Sequence, residues 1–423
     1  MWVNLRPLAL AAALLALVPV AAHAEDLLTT TTVETATAVA SPAPAALDLA
    51  EQIHTIGLIA KRSLRMSVPR QSGDVALNPD GTPLWGDHAR TALMPASTMK
   101  IITATIALSV LGPAWKPTTR VDFDTATGTL TLVGGGDPEL TSAQVDTLAA
   151  TTVETLTVMG LTPARLAIDD SLFPPPSLQP GVVAAQQPVE ERPIRALVVD
   201  QRKVADSGID AGRIFRRALA AQGVLVPFVG RAKASGSTIA SVSGYTLRST
   251  LKEMLWYSDN DIAEMAFRLS SIASGQGSAW TSARDNAMAQ LRRLGVPTRG
   301  LKLVDGAGLS RNNRLTPLAI AQTLRAAADH PRTAVLKSLL PRAGVDGTLK
   351  KRYATAPSKC VKGALSAKTG SLHDVISLAG YAPMPSGGTR PFAIIINGVR
   401  NSESIRMKTR LAIDALAASF AGC

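Results

Sequence analysis

A serine and a lysine at the mouth of an apolar run constrain this chain more than any other feature. The stretch reads Met94-Pro95-Ala96-Ser97-Thr98-Met99-Lys100 and continues IITATIALSVLG. Pro95 and Ala96 read as a helix entry, Ser97 falls in the first turn, and Gly112-Pro113 supply the stop. Met99 to Leu111 is apolar on nearly every face, so this helix is expected inside a core. Three residues apart, Ser97 and Lys100 share one face of it. A serine hydroxyl is a poor nucleophile until its proton is removed. A lysine can remove it when burial or a neighbouring cation lowers its pKa. The unpaired N–H groups of the helix N-terminus can stabilise negative charge beside Ser97. Taken alone, the pair fits an N-capping serine and a surface lysine as well.

Length, charge and cysteines set the frame. The 423 residues allow two or three domains and a large core. Residues 1–24 read as a signal peptide, with Arg6, an apolar stretch from Leu8 to Val20, and Ala22-His23-Ala24 ahead of Glu25. An uncleaved anchor is the alternative, for which the apolar run is short. The expected location is outside the cytoplasm, periplasmic or on the wall side, with cleavage after Ala24. The net charge of +12 suits peripheral attraction to anionic wall polymers or a membrane surface, or simply solubility. No Lys/Arg stripe with interleaved aromatics points to nucleic acid. Cys360 and Cys423 are the only cysteines, an even count that suggests one disulfide in an oxidising compartment. Neither they nor the five histidines offer metal-site spacing, so no metal and no cofactor is expected.

Along the chain, residues 25–50 are Thr/Ala/Ser/Pro-rich and read as a flexible linker. A helix is predicted over about 47–60, a strand over 63–68, a turn at Asn78-Pro79-Asp80-Gly81 and a strand near Pro83. Val121 to Val133 reads as a hairpin, followed by the Gly134-Gly135-Gly136-Asp137-Pro138 turn. A helix over 142–159, a strand to Asp170, a Pro-rich loop over 174–193, a strand over 196–199 and a helix over 211–222 follow. Residues 119–240 are therefore expected to form an inserted domain, lodged between the two parts, 51–118 and 241–423, of a larger one. Thr246 to Arg268 is helical with a break at Tyr257-Ser258-Asp259-Asn260, the kind of break that exposes side chains at a cleft. Turn-rich loops at 305–311 and 341–350, strands over 367–382 and 392–399, and a helix over 404–420 complete the chain. Packing on the sheet is the expected role of that last helix, with a membrane-surface role as the alternative.

Ser97-Thr98-Met99-Lys100, Ser258-Asp259-Asn260 and Lys368-Thr369-Gly370, in that order, are the elements of penicillin-binding proteins and serine β-lactamases. With GGGDP (134–138), DGAGLSR (305–311) and GVDGTL (344–349), the chain resembles the class C low-molecular-mass penicillin-binding proteins, exported D-alanyl-D-alanine carboxypeptidase/endopeptidases. The resemblance runs from about residue 51 to the C-terminus. It implies an α+β fold, an antiparallel sheet flanked by helices with a mixed domain inserted between the first two motifs. The stretch from Ser97 to Ser258 is shorter than in many class C members, so the third domain nested in their insert is expected to be missing or vestigial.

The resemblance also implies roles. Ser97 attacks the carbonyl between the terminal D-alanines of a peptidoglycan stem peptide, with Lys100 the leading candidate for the base. Ser258 relays a proton to the leaving amine, and Asn260 positions Lys100 and the substrate amide. Lys368 supplies positive charge for the terminal carboxylate and disfavours a second charge on Lys100. Thr369 hydrogen-bonds that carboxylate, Gly370 permits close approach, and the N–H groups of Ser97 and Ser371 form an oxyanion hole. Asp169 or Asp170, with Arg311, would meet the amine and carboxylate of the third stem residue. β-Lactam antibiotics would act as covalent inhibitors. A serine β-lactamase is one competing reading. Against it, the only glutamate between Asn260 and Lys368 is Glu264, in a position that local structure explains better than water activation. A non-catalytic wall-binding protein of the same fold is the other.

Overall fold

The computed structural model describes residues 49–63, 71–181 and 192–423. The expected signal peptide lies outside them, as do the linker expected over 25–50, apart from Leu49 and Ala50, which open a helix, and the strand expected over 63–68, apart from Ser63, which ends that helix.

Among the described residues the chain builds two five-stranded sheets. The first contains β1 (Ser72–Leu77), β2 (Pro83–Asp87), β8 (Ser366–Leu372), β9 (Val375–Pro383) and β10 (Thr389–Asn397), in the order β2-β1-β10-β9-β8, antiparallel throughout. Strand alternation divides its core between two faces. On β10, Phe392, Ile394 and Ile396 meet Ile59 of α1 (Leu49–Ser63) and Ile413, Leu416 and Phe420 of the α10 (Glu403–Ser419) segment. Ala393 and Ile395 point the other way, into an all-helical layer. That layer holds α2 (Met99–Leu111), α5 (Leu247–Tyr257), α6 (Asn260–Ala273), α7 (Trp280–Arg293), α8 (Pro317–Asp329) and the short α9 (Leu336–Leu339). Helix α2 is buried on all sides from Met99 to Leu108, as its apolar sequence requires. Helix α10 packs on the sheet, and no described helix is long and apolar enough to cross a membrane.

The second sheet, in the order β6-β5-β4-β3-β7, is mixed. It comprises β3 (Thr118–Asp124), β4 (Thr129–Val133), β5 (Arg165–Asp169), β6 (Phe228–Arg231) and β7 (Ser237–Ser243). β3 pairs antiparallel with β4 and β7, whereas β4–β5 and β5–β6 are parallel. Helices α3 (Ser142–Val158) and α4 (Ser207–Ala221) cover one face of it. The expected strand at 196–199 is not one. Leu197 and Val199 are buried, but the segment's backbone bonds individually, Ala196 O to Gly136 and Asp200 N–H to Leu140. Its apolar residues fill a gap between elements, a role that periodicity alone does not separate from a strand. Cys360 and Cys423 form a disulfide that ties the chain's last residue to the 3₁₀ turn at Ser358–Val361.

Candidate active site

Ser97 lies in a 3₁₀ turn, Ala96–Thr98, that runs directly into α2. Ala96 takes a left-handed φ of 47°, a strained conformation for a residue with a side chain. Neighbouring groups hold this turn from outside. Asn397 at the end of β10 accepts from Met94 N–H (2.8 Å) and donates to Met94 O (3.0 Å). The hydroxyls of Ser377 and Thr98 both donate to Pro95 O at 2.7 Å. Gly308 presses against the carbonyl of Ala96, where a Cβ would sit 2.0 Å from that oxygen.

The second motif is a junction between two helices. Ser258 ends α5 in the left-handed conformation, and Asp259 caps α6 by accepting from Ile262 N–H at 2.8 Å. Asn260 is then the first helical residue. The third motif lies on β8, which among the described residues is an edge strand paired with β9. Lys368 and Gly370 face the helical layer, and a Cβ on Gly370 would sit 2.1 Å from Ser377 Oγ and 3.1 Å from Ser97 N. Only glycine lets this strand approach the serine so closely.

The three motifs meet through two fully buried amines. Lys100 Nζ lies within hydrogen-bond distance of Ser97 Oγ (3.1 Å), Asn260 Oδ1 (2.7 Å) and Ala307 O (2.9 Å). Lys368 Nζ donates to Ser258 Oγ (3.0 Å) and Thr369 O (2.9 Å). Burial, and then the nearby Lys100 charge, push Lys368 well below the ordinary lysine range. Two amines therefore flank the two hydroxyls of Ser97 and Ser258, in a space that disfavours two charges at once.

Behind Lys100 stands a carboxylate layer to which sequence reasoning gave no catalytic part. Fully buried Glu264 accepts from Gly306 N–H and Ala307 N–H, both at 2.8 Å, and so fixes the carbonyl of Ala307 that holds Lys100. Asp305, also fully buried, accepts from Gly308 N–H (2.8 Å), Ser310 N–H (2.5 Å) and Asn313 Nδ2 (2.7 Å). Burial first, then Asp305, raise the Glu264 carboxyl far above the usual range, against the pull of the two N–H groups and Lys100. The signal was available: Glu264 follows Asn260 by one helical turn, and Asp305 opens the DGAGLSR loop.

The expected recognition residues divide. Arg311 forms a two-point ion pair with Asp374 in the β8–β9 turn (2.9 and 2.8 Å), at the rim beside β8. Asp170 is committed elsewhere: Arg231 clasps it through two bonds of 2.8 Å, and Arg195 lies 3.7 Å away. Asp169 accepts from Ser171 N–H and Ala234 N–H. No described contact joins either aspartate to the Ser97 cluster, because both belong to the second sheet's own network. Thr369 Oγ1 meets Thr348 Oγ1 at 2.9 Å, and Ser371 Oγ accepts from Arg406 at 2.5 Å, so these two side chains lie on the face of β8 opposite Lys368 and Gly370.

The fold and the serine–lysine geometry define a serine hydrolase on an α+β scaffold of the penicillin-binding type. Comparison with known proteins is more specific. The D-Ala-D-Ala carboxypeptidase 3 (S13) family matches residues 69–205 and 199–420, and the chain belongs to this family of serine-type carboxypeptidases. Carboxypeptidase DacB of Mycolicibacterium smegmatis is 32% identical over 458 residues, covering 100% of this chain and 98% of the relative. The D-alanyl-D-alanine carboxypeptidase of Actinomadura is 26% identical, covering 79% of this chain and 78% of the relative. Among solved structures, penicillin binding protein 4 from Haemophilus influenzae superposes with a TM-score of 0.73 at 21% identity, over 85% of this chain and 97% of that one. The chain is thus a serine DD-peptidase acting in peptidoglycan maturation, and a wall-acting peptidase of this kind works outside the cytoplasm.

Proposed function

We propose that Ser97 is the nucleophile of this peptidase. Its Oγ attacks the carbonyl carbon between the two terminal D-alanines, and the C–N bond breaks. The neutral amine of Lys100 accepts the serine's proton, which passes through Ser258 to the leaving amine, and water then hydrolyses the ester to restore Ser97. The observation that carries this reading is the paired bonding of the two buried amines, Lys100 on Ser97 and Lys368 on Ser258. A substrate carboxylate arriving at Lys368 and Thr369 would favour the charged form of Lys368, which burial otherwise opposes. The N–H groups of Ser97 and Ser371 serve as oxyanion donors, each worth on the order of 3 kcal/mol in comparable sites. Asn260 orients Lys100, while Glu264 and Asp305 hold the loop whose carbonyl does the same. Of the acidic pair, Asp169 is the one not clasped by a guanidinium and keeps the amine-recognition role, with Arg311 for the carboxylate; Asp170 carries none.

β-Lactams should acylate Ser97 and leave slowly. Both oxygens of Glu264 are occupied by backbone N–H groups, which leaves it no part in activating a deacylating water. The test is labelling of folded protein with a fluorescent penicillin, with Ser97→Ala as control, alongside D-alanine release from a stem pentapeptide. Labelling without release or cross-link cleavage would overturn the substrate; no Ser97-dependent labelling would overturn the nucleophile. The same reading assigns 119–240 as a domain inserted into 51–118 and 241–423, with a signal peptide removed after Ala24. A mature N-terminus other than Glu25, by intact mass, would refute that cleavage site. The positive charge of the chain supports peripheral attraction to anionic wall polymers or lipid headgroups, testable by salt-dependent co-sedimentation with isolated walls.

A further inference from the structure

A cavity of about 610 Å³ opens along β8 on the face away from Ser97. Its upper wall is Thr369, Gly370 and Ser371, the same three residues that edge the catalytic cleft. Met407, Arg410, Leu411 and Asp414 line the opposite side, spaced as one face of α10, and the loop from Thr348 to Ser358 closes the third. Such a volume falls within the roughly 300–1,000 Å³ typical of small-ligand sites. Released D-alanine, with a single methyl as its side chain, needs almost none of it.

The lining has a definite chemistry. Met407 and Leu411 are large apolar side chains left 47% and 51% exposed, and Ile376 adds to the apolar floor. Asp414 is neutralised by Arg352 through two bonds, so the acidic residue adds no free negative charge. Lys351 makes no ion pair with a described residue, and Arg410 pairs only at 3.3 Å with the exposed Glu403. The cavity therefore suits an aliphatic chain followed by an anionic group.

Its position says which part of a substrate reaches it. If the leaving residue's carboxylate sits at Lys368 and Thr369, the cavity begins where that residue's side chain crosses the strand edge. We propose that this cavity is a leaving-group subsite for cross-linked peptides. The leaving residue's methylene chain would lie on Met407 and Leu411, and carboxylates of the second peptide strand would meet Lys351 and Arg410. The inference rests on Ser97 being the nucleophile, and it makes the preference for cross-link over terminal D-alanine a property of α10 and the 348–358 loop.

The test compares two substrates on the purified protein, a monomeric stem pentapeptide and a cross-linked peptide dimer. Leu411→Trp, which fills an exposed position, and the double variant Lys351→Glu, Arg410→Glu are each expected to lower kcat/KM for the dimer by about tenfold or more. Labelling by fluorescent penicillin and D-alanine release from the pentapeptide should stay within about twofold. An equal fall for both substrates, or no fall for the dimer, would overturn the subsite. A wild-type protein that is labelled and releases D-alanine yet leaves the dimer intact would overturn it too, with the nucleophile untouched. Loss of labelling in the wild type would instead strike at Ser97.

Discussion

Two clusters of charge in this molecule are built on opposite plans. In the second sheet's domain half, Arg231 clasps Asp170 and Asp206 with four bonds, and Arg195 approaches both carboxylates at 3.7 and 3.4 Å. Planar forks meet carboxylates directly, which fixes every proton. At the meeting of the three motifs, Lys368 instead rests on a hydroxyl and a carbonyl, and Lys100 on a hydroxyl, an amide oxygen and a carbonyl. The carboxylates of Glu264 and Asp305 stand one layer back and act largely through main-chain N–H groups. The contrast is between charge used to hold structure and charge kept able to change hands.

The largest effect expected from breaking that contrast is at Lys100. Lys100→Ala should slow acylation by a β-lactam on the order of 10³-fold or more while the protein still folds, since main-chain N–H groups continue to hold the Glu264 and Asp305 carboxyls behind it. The check is stopped-flow labelling together with a thermal melt. A loss of less than about tenfold would mean that Ser97 finds its base elsewhere.

A third buried charge has neither plan and sharpens the comparison. Asp74 on β1 is 3% exposed, receives one bond, from the Trp85 indole at 2.7 Å, and has Asp87 opposite it. Burial raises its pKa to about 7, the Trp85 bond opposes, and Asp87 adds to the rise. The unfolded chain ionises this group near 3.8, so the folded state binds the extra proton between roughly pH 4 and 7. Stability is therefore lost as pH rises through that window. Asp74→Asn should be more stable than the parent above pH 7 by up to roughly 4 kcal/mol, with the difference vanishing near pH 4. Urea unfolding across that range checks it, and a pH-independent difference would refute the account.

Much of this was legible in the residues, for local reasons. The apolar run after Ser97, the break at Ser258-Asp259-Asn260 and the alternation around Lys368 each announce their own element. What escaped was whatever depends on partners far along the chain. β1 reads SGDVAL, too short and too mixed to stand out, and becomes a strand because β10 and β2 flank it. Helix α8 is the exception, since its start signal, Thr316 as cap and Pro317 as opening residue, is local and present in the sequence. Asp169 and Asp170 look alike in sequence, and only the fold sets Arg231 against one of them. Glu264 was set aside as local structure, which is what it is, but the structure it supports is the carbonyl that aims Lys100.

The two smaller predictions exchange the plans. Glu264→Gln keeps the shape but turns one acceptor into a donor facing a main-chain N–H, so the loop carrying Ala307 O should shift and Lys100 with it. Acylation is expected to fall about 10- to 100-fold with the non-covalent affinity for the β-lactam unchanged, a split that a general loss of packing would not produce. Arg231→Met leaves Asp170 and Asp206 with only Arg195 between them. Because the Arg231 side chain is 37% exposed, solvent screens much of the loss, and about 1–2 kcal/mol of stability is expected. Activity should stay within about twofold, since this network carries no proton that the reaction moves. If acylation instead fell with Arg231→Met while Glu264→Gln left it intact, the distinction between holding charge and working charge would be reversed. The second sheet would then have to be counted as part of the catalytic machinery.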